Sequence, residues 1–290
     1  MNRMKNISFI AVMLFGAYFS STAQTSASKI PVKELKKTIT LLMPRSVNDE
    51  MPGTRGASVA WHPQQMKYYA SMAGNAGYPL AVFDNTGKRL SNDTLNCQVD
   101  TRGLWYNPAT RSLEGNTYSD ESRGPSGLFR YDIDPKGRIK AVTIFSSNPY
   151  QLMPNAVMTI NPKTQILMYQ LDALVYRLKA SNGQLIDSLA VELGHTAADG
   201  KVTDFDELEG FPETYNATSM LYTGIKGAEW GFLNFIKRQI ELYDEKTHFL
   251  TRIYQLPEGA VTESMFNLAF CNNQFWLFDM DTRTWTGYKM

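Results

Sequence analysis

The chain has 290 residues, 43% of them apolar and 12% aromatic, and a formal net charge of +1. This near-neutral balance, with no basic stripe and no acidic tail, argues against dedicated nucleic-acid binding, which needs Lys and Arg clustered on one face. Only two cysteines and three scattered histidines are present, and no H-E-x-x-H or Cys/His spacing suggests a zinc site.

The first residues read as a secretory signal peptide covering 1–23. Arg3 and Lys5 form the basic segment, 7–19 the apolar core, and Ser21, Thr22 and Ala23 the small-residue cleavage site before Gln24. The apolar core is shorter than the ~20 residues of a spanning helix. No cysteine sits at the cleavage site to carry a lipid, and no later run is apolar for long enough to span. The expectation is export through the Sec route to a periplasmic or extracellular location, with no integral membrane segment after cleavage.

A polar leader occupies 24–37. Residues 38–43 (TITLLM) form a short β-rich run that stops at Pro44, and 45–56 is a Pro- and Gly-containing loop. Then an apolar run ending in a small turn cluster occurs five times: ASVAWHP (57–63), GLWYNP (103–108), AVMTINP (156–162), ATSMLYTG (217–224) and FNLAFCNN (266–273). Self-similarity at roughly fifty-residue spacing is the signature of propellers and solenoids. Further short strands follow each run. In the first repeat they are 67–72, 80–83 and a strand starting at 88. The second has 128–131 and 138–145. The third has 165–170, 174–178 and 184–191. The fourth has 230–235, 239–243 and 249–254. Phe83-Asp84, Tyr131-Asp132 and Tyr243-Asp244 precede outer turns, where an Asp side chain accepts from backbone amides two residues on.

The fifth repeat supplies only 266–271, 274–279 and 284–288 before the chain ends. The run 38–43 is left over at the other terminus. Pairing the two completes a four-stranded unit and removes two exposed edges. The fold expected is therefore all-β: a β-propeller of five four-stranded blades over 38–290, closed by its N-terminal strand. A count of six would follow if an outer strand were misassigned. The longest repeat step contains an acidic insertion at 194–212, with a helical turn near 204–209. It matches an EF-hand loop poorly, because aligning Gly200 to the invariant glycine puts His195 and Ala197 at carboxylate positions and Asp206 in place of the bidentate Glu. It reads as a solvated loop, with no metal and no cofactor. Cys97 and Cys271 lie in different repeats; an oxidising compartment permits a disulfide, and otherwise they are two small buried hydrophobes.

No nucleophile elbow, phosphate loop or dinucleotide fingerprint appears. Glu114, Asp120, Glu121, Asp172 and Glu229 are carboxylates of the type glycoside hydrolysis uses, with no spacing that pairs them. Trp61 and Trp105 each close a first strand just ahead of a turn, with His62 and Tyr106 beside them. Equivalent strand ends lie on one face of a propeller, so Trp61, His62, Trp105 and Tyr106 are the candidate ligand-binding residues. The competing reading of the rings is packing between blades. For His62 it is a turn residue bonded to the backbone.

The unit at 83–87 and 131–137, an aromatic residue, Asp, a turn and Gly, resembles the broad class of WD40-like, YVTN and TolB-like propellers, over about 38–290. The Trp-Asp dipeptide of true WD40 repeats is missing. The leader ending in Ser-Thr-Ala-Gln resembles those of exported Bacteroidetes proteins. Two functions fit these readings. One is a non-enzymatic module using a propeller face to hold a protein or glycan. The other is a hydrolase or lyase acting on an extracellular polymer at the central channel, for which acids and His62 would have to gather at one mouth.

Overall fold

Five sheets arranged as the blades of a β-propeller make up the computed structural model, which describes residues 30–45, 54–120, 126–201 and 212–290. The signal peptide, Glu121, Asp206 and the helical turn near 204–209 lie outside the described residues. Twenty strands are described, and they are numbered here in chain order.

Blade 1 holds β3 (Arg55–His62), β4 (Lys67–Ala73) and β5 (Leu80–Asp84). Its fourth position is filled by an irregular segment, which pairs with the blade at the bridges Phe83↔Arg89 and Pro79↔Asn96 and through hydrogen bonds such as Leu90 N to Val82 O at 2.7 Å. Blade 2 is β6 (Thr101–Asn107), β7 (Ser112–Thr117), β8 (Leu128–Ile133) and β9 (Ile139–Ser146). Blade 3 is β10 (Thr159–Asn161), β11 (Ile166–Leu171), β12 (Leu174–Lys179) and β13 (Leu185–Ala190). Blade 4 is β14 (Tyr215–Tyr222), β15 (Trp230–Asn234), β16 (Gln239–Tyr243) and β17 (Leu250–Gln255). Blade 5 is β18 (Leu268–Cys271), β19 (Gln274–Asp279), β20 (Thr284–Lys289) and, from the other end of the chain, β2 (Lys36–Leu42).

The middle strands are buried on both faces, because each blade is pressed between two others. Phe275, Trp276, Leu277 and Phe278 of β19 are successive and all buried. Such a strand reads as a continuous apolar run and shows no period-2 alternation. The outer strands β9 and β13 carry mostly exposed or half-exposed residues. Apolar clusters fill the wedges between neighbouring blades.

The ring closes as expected. β2 runs antiparallel to β20, with Thr40 opposite Thr286 and Leu41 opposite Trp285. Leu41, Met43, Trp276, Phe278 and Trp285 are buried with Val59, Tyr68 and Phe83 of blade 1. Gly56 of β3 has no room for a side chain, since a Cβ there would collide with the Trp285 ring. The leader contributes more than the sequence suggested. Val32–Glu34 forms a short strand, β1, that adds in parallel to β17 at the outer edge of blade 4. Leu35 between β1 and β2 is buried in the wedge between blades 4 and 5, and its amide donates to Gln255 O at 2.9 Å.

The turn aspartates are largely as expected. Asp84 Oδ1 accepts from the amides of Thr86 (2.8 Å) and Lys88 (3.0 Å), and Asp244 Oδ1 from those of Lys246 (2.8 Å) and Thr247 (2.9 Å). In blade 2 this role belongs to Asp134 and not Asp132, because the bulge at Ile133 moves the turn on by two residues. The Arg138 amide and guanidinium hold the Asp134 carboxyl down to about 2.

The closing strand should set the stability of the whole ring. Leu41→Ala, at a fully buried position of the seam, should destabilise the protein by about 2–5 kcal/mol. Deleting 24–44 should abolish a single cooperative melting transition. An unchanged melting temperature in the deletion would show that the ring holds without its seam.

Candidate functional site

The five runs recognised in the sequence are the innermost strands of the five blades. Their C-terminal ends converge on a cavity of about 360 Å³ at one mouth of the central channel. The same local chemistry builds each corner in blades 1 to 3. A proline follows the strand (Pro63, Pro108, Pro162), and three residues later the chain takes a left-handed conformation at Met66 (φ 55°), Arg111 (φ 56°) and Gln165 (φ 55°). Just before the proline, Asn107 and Asn161 cap the turn through their side-chain oxygens. Asn107 accepts from the Ala109 amide (3.0 Å) and Asn161 from the Lys163 amide (3.1 Å).

Counting back from these turns gives a common register. Trp61 pairs with Tyr68, Tyr106 with Leu113 and Ile160 with Leu167, each seven residues on. Trp61 is therefore equivalent to Tyr106, not to Trp105. In blades 4 and 5 the matching cavity-lining residues are Tyr222 and Phe270. Trp61, Tyr106, Tyr222 and Phe270 are all half-buried, and together they form an aromatic collar completed by Ile160. Tyr222 and Phe270 were not singled out in the sequence, although both stand two residues before a turn position, as Trp61 does.

The four candidate residues separate by strand parity, since successive side chains point to opposite faces. Trp61 and Tyr106 line the cavity with partial exposure. Trp105 also borders it but is only 6% exposed, with its ring in the wedge between blades 2 and 3. His62 does not line the cavity. It is buried, its ring lies 4.7 Å from that of Tyr106, and it borders a separate recess of about 290 Å³ with Arg111, Arg130 and Asp132. In the common register His62 stands where blades 2 and 3 place their capping Asn107 and Asn161.

Side-chain hydrogen bonds tie successive blades around this mouth. Asn272 Nδ2 donates to Tyr68 Oη at 2.7 Å, joining blades 5 and 1. Tyr69 Oη donates to Gly137 O at 3.0 Å, joining blades 1 and 2. Asn107 and Gln165 exchange a reciprocal pair of amide bonds at 3.1 Å between blades 2 and 3. Tyr222 packs between blades 3 and 4, and burial pushes its phenol up to about 12, so the hydroxyl stays protonated.

Among the described residues, no carboxylate and no histidine lines the mouth. Glu114 is buried and accepts from Asn107, Thr110 and Arg130. Glu229 accepts from the amides of Gly227 (2.8 Å) and Glu245 (3.3 Å). Asp172 sits in the left-handed turn between β11 and β12. In the insertion, Asp199 Oδ2 accepts from the Thr196 amide at 2.6 Å, the local arrangement of a turn. Cys97 and Cys271 are both free thiols: Cys97 is buried between blades 1 and 2, where burial pushes it up to about 12, and Cys271 borders the mouth. At the opposite ends of the inner strands the chemistry differs. The Arg55 and Arg102 guanidiniums lie 5.6 and 5.5 Å from the Phe266 ring, and Arg102 pairs with Asp100.

No protein-family profile matches the chain, and no curated protein matches its sequence. Among solved structures, the glutaminyl cyclase of Myxococcus xanthus is similar with a TM-score of 0.50 at 10% identity, over 90% of this chain and 98% of that one. The β-propeller domain of Cps50 (Swd1) from Myceliophteria thermophila gives 0.42 at 10% identity, over 81% and 84%. A Bacteroides caccae protein of unknown function gives 0.41 at 13% identity, over 82% and 81%. At 10% identity the likeness to the cyclase extends to the fold alone. Among the described residues no helix is long and apolar enough to cross a membrane.

Two predictions separate the roles of these residues. Trp105→Ala removes a buried wedge and should cost about 3–5 kcal/mol in denaturant unfolding, whereas Trp61→Ala, at a half-exposed ring, should cost clearly less. Equal losses would place both rings in the core. Burial lowers the titration of His62 and of His248, whose ring stacks on Trp230. Below the ordinary histidine value of about 6.5 the unfolded chain then binds more protons than the folded one, so stability falls as pH falls from about 7 to about 5. His62→Asn, which installs the cap used by blades 2 and 3, should flatten that fall. An unaltered pH–stability curve would show that His62 does not contribute.

Proposed function

We propose that this protein is an exported, non-enzymatic binding module that holds a protein or glycan ligand at the channel mouth where its five inner strands end. The observation carrying this reading is the collar of four half-buried aromatic rings around a cavity of about 360 Å³ that, among the described residues, no carboxylate or histidine lines. Aromatic anchors on a rigid, preformed scaffold are the usual carriers of binding energy. A hydrolase or lyase needs a positioned acid and base. At this mouth the nearby acids are engaged in turn and strand contacts, and His62 faces a different recess. Export rests on the signal-peptide pattern of 1–23.

The test compares the mature chain with its Trp61→Ala variant on a glycan array and against a displayed library of random short peptides. Binders retained by the intact protein and lost by a variant of near-normal melting temperature support the reading. Binding that is unaffected by Trp61→Ala, or no binders in either format, would overturn it. Chemical alteration of a captured ligand, read by mass spectrometry, would overturn its non-enzymatic part.

A further inference from the structure

The turns immediately behind the collar share a charge pattern. In blades 2 to 4 the turn between the first and second strands carries one basic residue, Arg111, Lys163 and Lys226, and in blade 1 Lys67 opens β4 directly after the turn. Arg111, Lys163 and Lys226 are exposed, and among the described residues none of the four forms an ion pair. The Lys67 ammonium donates to Lys136 O. Several acidic residues of this face are engaged within the protein, while Glu245 stands beside Glu229 on blade 4. Glu229, on the blade 4 turn, accepts from two backbone amides. Asp84, Asp134 and Asp244 cap outer turns. Asp132 borders the His62 recess with Arg111. Blade 5, with Asn272 and Asn273 in its turn, leaves a gap in the ring.

The polar groups of the mouth are largely committed within the protein. Ser58 Oγ donates to Leu104 O, Thr223 Oγ1 to Ala228 O, and Asn272 Nδ2 to Tyr68 Oη. A sugar entering here would lose hydration from its hydroxyls and find few side-chain partners, at the cost of desolvating unpaired polar groups. A large apolar side chain needs no such partners and gains from burial against the collar.

Resting on the binding reading above, we infer that the partner is an acidic polypeptide segment, which inserts a large apolar side chain into the aromatic collar and sets flanking Asp or Glu residues against the basic turns. The two halves of the site divide the work. The collar supplies the desolvated anchor. The cations supply orientation and a salt-dependent approach, as charges at the rim of an interface do.

The experiment selects a displayed library of random short peptides against the mature chain, against Trp61→Ala, and against the double variant Lys163→Glu, Lys226→Glu, whose exposed side chains hold no structural partner. A glycan array carrying neutral and acidic sugars is run in parallel. The expected selection is enriched in peptides with an aromatic or large aliphatic residue flanked by acids. Their affinity should fall with added salt and fall roughly five- to tenfold for each reversed cation. Enriched peptides with no acidic bias, or with affinities indifferent to charge reversal and salt, would overturn the inference and leave the binding reading standing if Trp61 still matters. Trp61-dependent capture of a glycan with no peptide enrichment would do the same. No capture of either class would sink both.

Discussion

A propeller depends on one constraint above all: the ring has to close on itself. Each blade buries both faces only because a neighbour covers them, so a gap anywhere would leave two apolar sheets in water. Here the closing contact is the antiparallel zipper between β2 and β20. A backbone hydrogen bond in such a ladder contributes only about 1 kcal/mol net. The larger share comes from burying Leu41, Met43 and Trp285 in the wedge with blade 1. β1 extends the same segment across to blade 4, with Leu35 as the buried pin between the two sheets. One N-terminal stretch thus fastens two successive blades, and the convergence of five inner strands on one channel follows from that closure.

The mouth inherits its rigidity from this arrangement. Cross-blade hydrogen bonds at Tyr68, Tyr69 and Asn107 join three of the five blade boundaries close to the collar, and Tyr222 packs in the wedge at the fourth. The fifth boundary is held by packing, with Tyr254 and Phe275 rings 5.5 Å apart. The buried carboxylates serve the same end. Glu241 accepts from Tyr215 Oη at 2.6 Å and Tyr243 Oη at 2.8 Å, as Glu114 accepts within blade 2. A carboxylate surrounded by donors inside a blade is a structural cross-link.

Much of this fold was legible in the sequence, for a definite reason. Most inner and middle strands are buried on both faces, so they appear as continuous apolar runs ending in Pro, Gly or Asn turns; β7, buried but polar in sequence, shows no such run and escapes the reading. The spare run at 38–43 and the missing strand of the last repeat pointed to each other. The parts that escaped depend on tertiary context. β1 is three exposed residues whose only strand signal is an edge supplied by blade 4. The fourth strand of blade 1 dissolves into two bridges between 88 and 96. In the site, reading strand ends as one face brought Trp61, Trp105 and Tyr106 to the cavity. It took no account of the two-residue alternation that turns His62 away and makes Tyr106 the counterpart of Trp61. Aligning the three turn prolines supplies that register for blades 1 to 3, whereas Tyr222 stands before a turn with no proline.

The two ends of the channel are chemically unlike, and topology explains why. At the collar end the turns join adjacent strands of one blade, so they are short, repeat the same geometry, and can present one cation each at comparable places. At the other end the chain crosses from blade to blade. There Arg55 and Arg102 flank the Phe266 ring, and Arg102 is neutralised by Asp100. A cation packed on a ring and paired with a carboxylate contributes to structure. A cation on an exposed turn without a partner stays hydrated and contributes mainly to the field outside the protein. The same residue type therefore does different work at the two mouths.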